Sequence, residues 1–156
     1  MNFGMFSMFT TREGTSQAET FQEWFELVRL AEDTGLDTFW FGETHFRPQR
    51  AIMASPLIGA SAAATITERI AIGLAVQVLP LSNPLKVAEE AAMVDVMSGG
   101  RLNFGIGSGY QRQEFEGIGV HLWEADSAGD GVEHERVTSG FDNRWLVGGY
   151  YTVIIA

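Results

Sequence analysis

The stretch Asp37-Thr38-Phe39-Trp40-Phe41-Gly42-Glu43-Thr44-His45-Phe46 runs from an apolar segment straight into a carboxylate, a hydroxyl and an imidazole. A strand buried on both faces of a parallel sheet is a near-continuous hydrophobic run, and Thr38 to Phe41 has that character. In parallel α/β folds the loops after the strands converge on one face, so polar groups just past a strand are site candidates. Glu43 and His45 are therefore the first candidate pair, the alternative being a capping carboxylate and a structural histidine. Residues two apart on an extended chain share a face, so the two side chains can meet. Histidine beside a carboxylate can act as general acid or base, because an imidazole ordinarily titrates near about 6.5.

Working outward, strand and helix patterns alternate through the first 110 residues with short connections. Phe3 to Phe9 reads as a first strand. Ser16-Gln17-Ala18-Glu19 has capping-box spacing, and the helix after it places Phe21, Trp24, Phe25, Val28 and Ala31 on one face until Gly35 stops it. After the second strand, Ser55-Pro56 opens a helix from Leu57 to Ile66 rich in Ala, Gly and Ser. A third strand spans Ile70 to Leu79. Asn83-Pro84 repeats the cap-plus-proline device for a third helix, Leu85 to Met97, closed by Gly99-Gly100. Leu102 to Ile106 is a fourth strand. Such alternation predicts an α/β fold with four parallel strands joined by helical crossovers, either in a barrel or in an open sheet. Tyr110 to Gly119 could begin a fourth helix. Residues 121–156 break the pattern, and Trp145 to Ile155, with Gly148-Gly149 inside it, predicts a hairpin or an edge strand. The expected organisation is thus a domain over 1–120 followed by a divergent tail over 121–156.

Composition narrows the function classes. The 156 residues are 46% hydrophobic and 19% charged, as in a globular domain with a real core. Twenty acidic against ten basic residues leave a formal charge of −10, which argues against nucleic acid or an anionic membrane surface as partner. Cysteine is absent, which excludes disulfides and thiolate metal sites. The three histidines stand apart, without ligand spacing, so no metal site is predicted. The N-terminus has no signal-peptide pattern and no segment is long and apolar enough to span a membrane, so a cytoplasmic protein is expected.

The fourth strand ends in Gly105-Ile106-Gly107-Ser108-Gly109. The dinucleotide fingerprint requires a third glycine where Tyr110 stands, and it belongs on a first βα unit. Close backbone approach to a planar ligand is the better reading, with a plain tight turn as its alternative.

These segments together resemble the N-terminal half of the luciferase-like flavin-dependent monooxygenases, the bacterial luciferase family. The resemblance is carried by Met1-Asn2-Phe3-Gly4-Met5-Phe6, by Ala31-Glu32-Asp33-Thr34-Gly35-Leu36-Asp37, and by Glu43-Thr44-His45-Phe46. It continues through Ile72 to Pro80, Asn83 to Glu90, Asp95 to Gly109 and Glu114-Phe115, in order, over about residues 1–120. It implies a (β/α)₈ TIM barrel, here about half of one, since eight units take about 250 residues. It implies a flavin-dependent oxidoreductase that uses reduced FMN, or alternatively a deazaflavin coenzyme, and dioxygen to oxidise a small organic substrate. Among the cofactor contacts the resemblance implies, Ala75-Val76 matches a bulged non-prolyl cis peptide lying against the flavin, and Gly107 and Ser108 match positions beside the isoalloxazine. Glu43 and His45 match the acidic position and the second basic position of a Glu-His-His motif. Thr44 departs from it, because bacterial luciferase has its catalytic histidine there, which favours another branch of the family or a related role for His45. The resemblance also implies a homodimer packed through the second and third helices. The chain's length predicts a truncated or frameshifted member or a half-barrel that must pair. A non-catalytic protein that dimerises and binds flavin weakly or not at all is the alternative.

Overall fold

The computed structural model describes residues 1–47 and 52–120. Its elements follow in the order β1 (Gly4–Ser7), α1 (Gln17–Asp33), β2 (Thr38–Phe41), α2 (Pro56–Ile66), β3 (Ala71–Val78), a 3₁₀ turn (Leu79–Leu81), α3 (Pro84–Ser98), β4 (Leu102–Gly107) and α4 (Arg112–Ile118). The four strands form one parallel sheet in the order β1-β2-β3-β4, half of a (β/α)₈ barrel wall. The predicted tail hairpin and the 121–156 division lie outside the described residues.

The local rules account for most boundaries. Ser16 and Glu19 form the full capping box at the start of α1, with Ser16 Oγ accepting from the Glu19 N–H and the Glu19 carboxylate accepting from the Ser16 N–H. Asn83 caps α3 by accepting from the Lys86 N–H, and Gly99 ends it in the left-handed region at φ 72°. Ser55 precedes Pro56 as expected, but its hydroxyl makes no cap bond; the proline alone sets the first turn of α2. The first strand is shorter than the expected Phe3 to Phe9. Phe9 leaves it with φ 53°, which turns its ring down onto Trp24, stacked at 4.0 Å between centroids.

Register puts one layer of side chains against the helices. Met5, Phe39, Ile72 and Leu102 align across the sheet, as do Phe41, Leu74 and Phe104. With Trp24, Val28 and Ala31 of α1, and Ala60, Ala63, Ala91 and Val94 of α2 and α3, they make a single core. On α1 the fully buried positions are Thr20, Trp24, Val28 and Ala31; Phe21 and Phe25 of the predicted stripe are only half-buried. On the opposite sheet face Trp40 stands beside its register partner Gly73. A β-carbon at Gly73 would overlap the indole, so this ring is accommodated only because the neighbouring strand has no side chain there.

Two polar clamps join the units. Glu32, at the end of α1, accepts from the N–H groups of Glu68, Arg69 and Ile70 at the entrance to β3. Arg101, just before β4, uses all five of its N–H donors: Nε on the Ser98 carbonyl, Nη1 on Thr67 Oγ1 and the Ile70 carbonyl, and Nη2 on the carbonyls of Ala64 and Thr67. A cation at the carboxyl end of α2 also suits the helix dipole.

Candidate active site

Glu43 extends beyond β2 with its side chain 2% exposed, and its oxygens divide their acceptor capacity. Oε1 lies 2.8 Å from His45 Nε2, whereas Oε2 accepts from the Val78 N–H at 2.7 Å and from the Gln77 amide at 2.8 Å. The pairing that the two-residue spacing allows is therefore made. His45 is the outer member, its side chain 15% exposed. Burial pushes the Glu43 carboxyl above the ordinary carboxylate range, with the Glu114 charge adding to it, against the opposing pull of the Val78 N–H and His45. The carboxylate thus joins the end of β2 to the end of β3 and holds an imidazole that faces outward.

Within β3 the pairing with β4 jumps from Leu74–Phe104 to Gln77–Ile106, so Ala75 and Val76 together oppose a single residue, Gly105. The Ala75–Val76 peptide at this bulge is cis. Both residues are half-buried in a strand otherwise buried after its first residue, so the bulge opens a patch of surface. Val76 leans across to β4: a β-carbon on Gly107 would stand 2.7 Å from Val76 Cγ2. Ser108, next along, is exposed. The structure thus brings Glu43 and His45 together with Gln77 and Val78, and brings Val76 onto Gly107.

Two participants were not singled out among the candidates from the residues themselves. Gln77 and Glu114 stand there only within runs that carry the resemblance, Ile72 to Pro80 and Glu114-Phe115. Glu114 is 2% exposed, and its Oε1 accepts from Thr44 Oγ1 at 3.1 Å, the His45 N–H at 2.8 Å and the Gln111 amide at 3.1 Å. The sequence signal is a carboxylate next to Phe115 at the start of a short helix, but two of its three partners, Thr44 and His45, lie 70 and 69 residues away. Among the described residues no group of three or more His, Cys, Asp or Glu could hold a metal ion, and no helix is long and apolar enough to cross a membrane.

The fold and this cluster agree with the family comparison, in which the luciferase-like monooxygenase model matches residues 1–134. The chain belongs to that family. Among relatives, it is 31% identical over 122 residues to the alkanal monooxygenase alpha chain of Photorhabdus laumondii, covering 78% of this chain and 34% of that one. It is 33% identical over 126 residues to the oxygenase component of the flavin-dependent trigonelline monooxygenase of Acinetobacter baylyi, covering 77% and 35%. The chain spans about a third of the length of these curated relatives. Among solved structures, the oxygenating constituent of 3,6-diketocamphane monooxygenase from Pseudomonas putida, in complex with FMN, superposes with a TM-score of 0.75. At 21% identity, over the whole of this chain and 44% of that one, this likeness establishes the fold. The coenzyme F420-dependent tetrahydromethanopterin reductase of Methanopyrus kandleri gives a TM-score of 0.59 at 25% identity, over 77% of this chain and 30% of that one.

Proposed function

We propose that this chain supplies the proton-handling and ring-contacting side of a flavin-dependent monooxygenase, acting in the cytoplasm on a small organic substrate with reduced FMN and dioxygen. The observation that carries the reading is the 2.8 Å Glu43–His45 pair at the strand ends, beside the accessible Ala75–Val76 bulge. The residues fit a planar cofactor. Ala75 and Val76 expose a patch in an otherwise buried strand, and Gly107 adds no side chain where Val76 crosses to β4. A reduced flavin, when bound, supplies electrons and reacts with dioxygen. The chain's own residues do the rest: Ala75, Val76, Gly107 and Ser108 shape the contact, and the His45 imidazole takes or gives a proton at Nδ1, the ring nitrogen that Glu43 does not hold. Glu43, buried and fixed by Val78 and Gln77, orients the imidazole through its 2.8 Å contact with Nε2. The FMN-bound neighbour supports FMN, and the F420-dependent neighbour keeps a deazaflavin as the second candidate.

The functional unit of the reading is residues 1–120, paired as a homodimer through α2 and α3. Ile58, Met93, Val96 and Met97 on these helices are all more than half exposed, and a groove of about 270 Å³ runs between Ile58, Ser61, Glu90, Met93 and Met97. Exposed apolar surface of this kind marks an association site.

Titration of the purified chain with FMN, followed by absorbance and fluorescence, tests the reading. Saturable binding is expected; none up to high micromolar FMN would sink it and leave a non-catalytic, dimerising protein. With binding present, His45→Ala should lower turnover in an NAD(P)H-coupled assay by about 10²-fold or more while sparing affinity. Equal turnover would remove His45 from the mechanism.

A further inference from the structure

The Glu43–His45 pair leaves a second buried carboxylate without a task. Glu114 sits in the first turn of α4, and one of its oxygens gathers three donors: the Thr44 hydroxyl, the His45 backbone N–H and the Gln111 amide. Two of these belong to the segment that carries the imidazole. A buried carboxylate demands such donors, and the donors are held in place in return.

The surroundings of α4 reinforce this grip. Phe115 is fully buried against Val78 and Leu81, which anchors the helix to the end of β3 and the turn after it. Phe46, directly after His45, has φ 56°, a left-handed backbone that a bulky residue adopts only when its surroundings enforce it. A β-carbon on Gly117 of α4 would overlap the Phe46 ring, so the helix offers a glycine where that ring rests. Helix α4 thus holds residues 44–46 by a carboxylate on one side and a ring seat on the other. His45 Nε2 meets Glu43 because its backbone is held from β4's side of the site.

We infer that Glu114 is a positioning residue for His45: it fixes the backbone of the Thr44–His45 segment so that the imidazole stays on Glu43. The inference rests on the proposed role of the Glu43–His45 pair, but its test does not require flavin. The full chain is labelled with ¹⁵N-histidine, and the ring signals of His45 are assigned by their loss in His45→Gln. Glu114→Ala should carry the His45 Nε2 resonance at least half of the way to its position in Glu43→Gln. Glu114→Asp, which withdraws the carboxylate by one methylene, should lie between. Glu114→Gln keeps an acceptor oxygen for the same donors and should stay near the parent. In the coupled assay, Glu114→Ala should lose between tenfold and about a hundredfold in turnover with FMN affinity within about twofold, as expected when a reacting group is misplaced rather than removed. His45 resonances unchanged in Glu114→Ala would overturn the inference. Should that variant not fold, unchanged resonances in Glu114→Asp would do so. If FMN fails to bind, the histidine signals still decide on Glu114, so the two readings fail separately.

Discussion

Replacing Glu43 with alanine should be among the most destabilising single changes in this chain. The carboxylate satisfies the Val78 N–H and the Gln77 amide, both buried, and the half-buried His45 ring. Each buried donor left unpaired costs about 1–3 kcal/mol. Two such donors give about 2–6 kcal/mol, offset in part because burying the carboxylate is itself unfavourable; a net loss of about 3 kcal/mol is expected, the range seen when one member of a buried pair is deleted. Glu43→Gln separates the contributions. Its carbonyl oxygen can receive Val78 and Gln77, and its amide can donate to His45 Nε2, so it should stay within about 1 kcal/mol of the parent at neutral pH. Urea unfolding followed by tryptophan fluorescence measures both. With a slope of about 2 kcal/mol/M, the alanine variant's midpoint should fall by about 1.5 M. The raised carboxyl adds a pH signature. Because folding raises its pKa, the folded state binds the proton more readily, so this contribution is complete below the unfolded value and is lost as pH rises through the folded one. The parent should therefore lose stability relative to Glu43→Gln as pH rises out of the acid range. Equal midpoints for the alanine and glutamine variants, or a difference from the parent that does not change with pH, would refute this account of the site.

Gly73→Ala should cost about 1–3 kcal/mol by forcing the Trp40 ring aside, and Trp40→Leu in the same chain should recover part of it, which a double-mutant cycle on thermal unfolding would detect. Glu32→Ala should lower stability at neutral pH by releasing the N–H groups of residues 68–70. Burial pushes the Glu32 carboxyl up, but the Ile70, Arg69 and Glu68 N–H groups with the Arg69 charge bring it below its ordinary value. Its contribution is therefore present above the unfolded value and lost as pH falls through the folded one, so parent and variant should converge in acid. Ile58→Glu combined with Val96→Glu should shift light scattering from dimer to monomer if α2 and α3 pair two copies; an unchanged mass would place the interface elsewhere.

The elements were legible because their signals are local. Asn83-Pro84, Gly99 and the Ser16–Glu19 box each act within four residues, and each stands where the sequence puts it. Glu43 and His45 were legible for the same reason, being two residues apart after an apolar run. Other features depend on contacts that no short window contains. Phe9 leaves β1 because Trp24, fifteen residues on, offers a ring to stack on. Thr20, not Phe21 or Phe25, is fully buried on α1, because the helix's rotation is set by the sheet beneath it. Glu114 reads as an ordinary first-turn carboxylate until the fold carries it to Thr44 and His45. Ala75 and Val76 carry no signal as a pair of small apolar residues; only the resemblance pointed to them.

The five bonds of Arg101 have a consequence for how the protein opens. One planar group saturates carbonyls from the end of α2, the turn into β3 and the end of α3, so none of these can loosen without exposing charged donors to an incomplete set of acceptors. The second and third βα units should then behave as a single cooperative block, their amides exchanging with solvent at a common free energy. Lysine could keep the charge at that position but, with three donors on one nitrogen, could not keep the block whole.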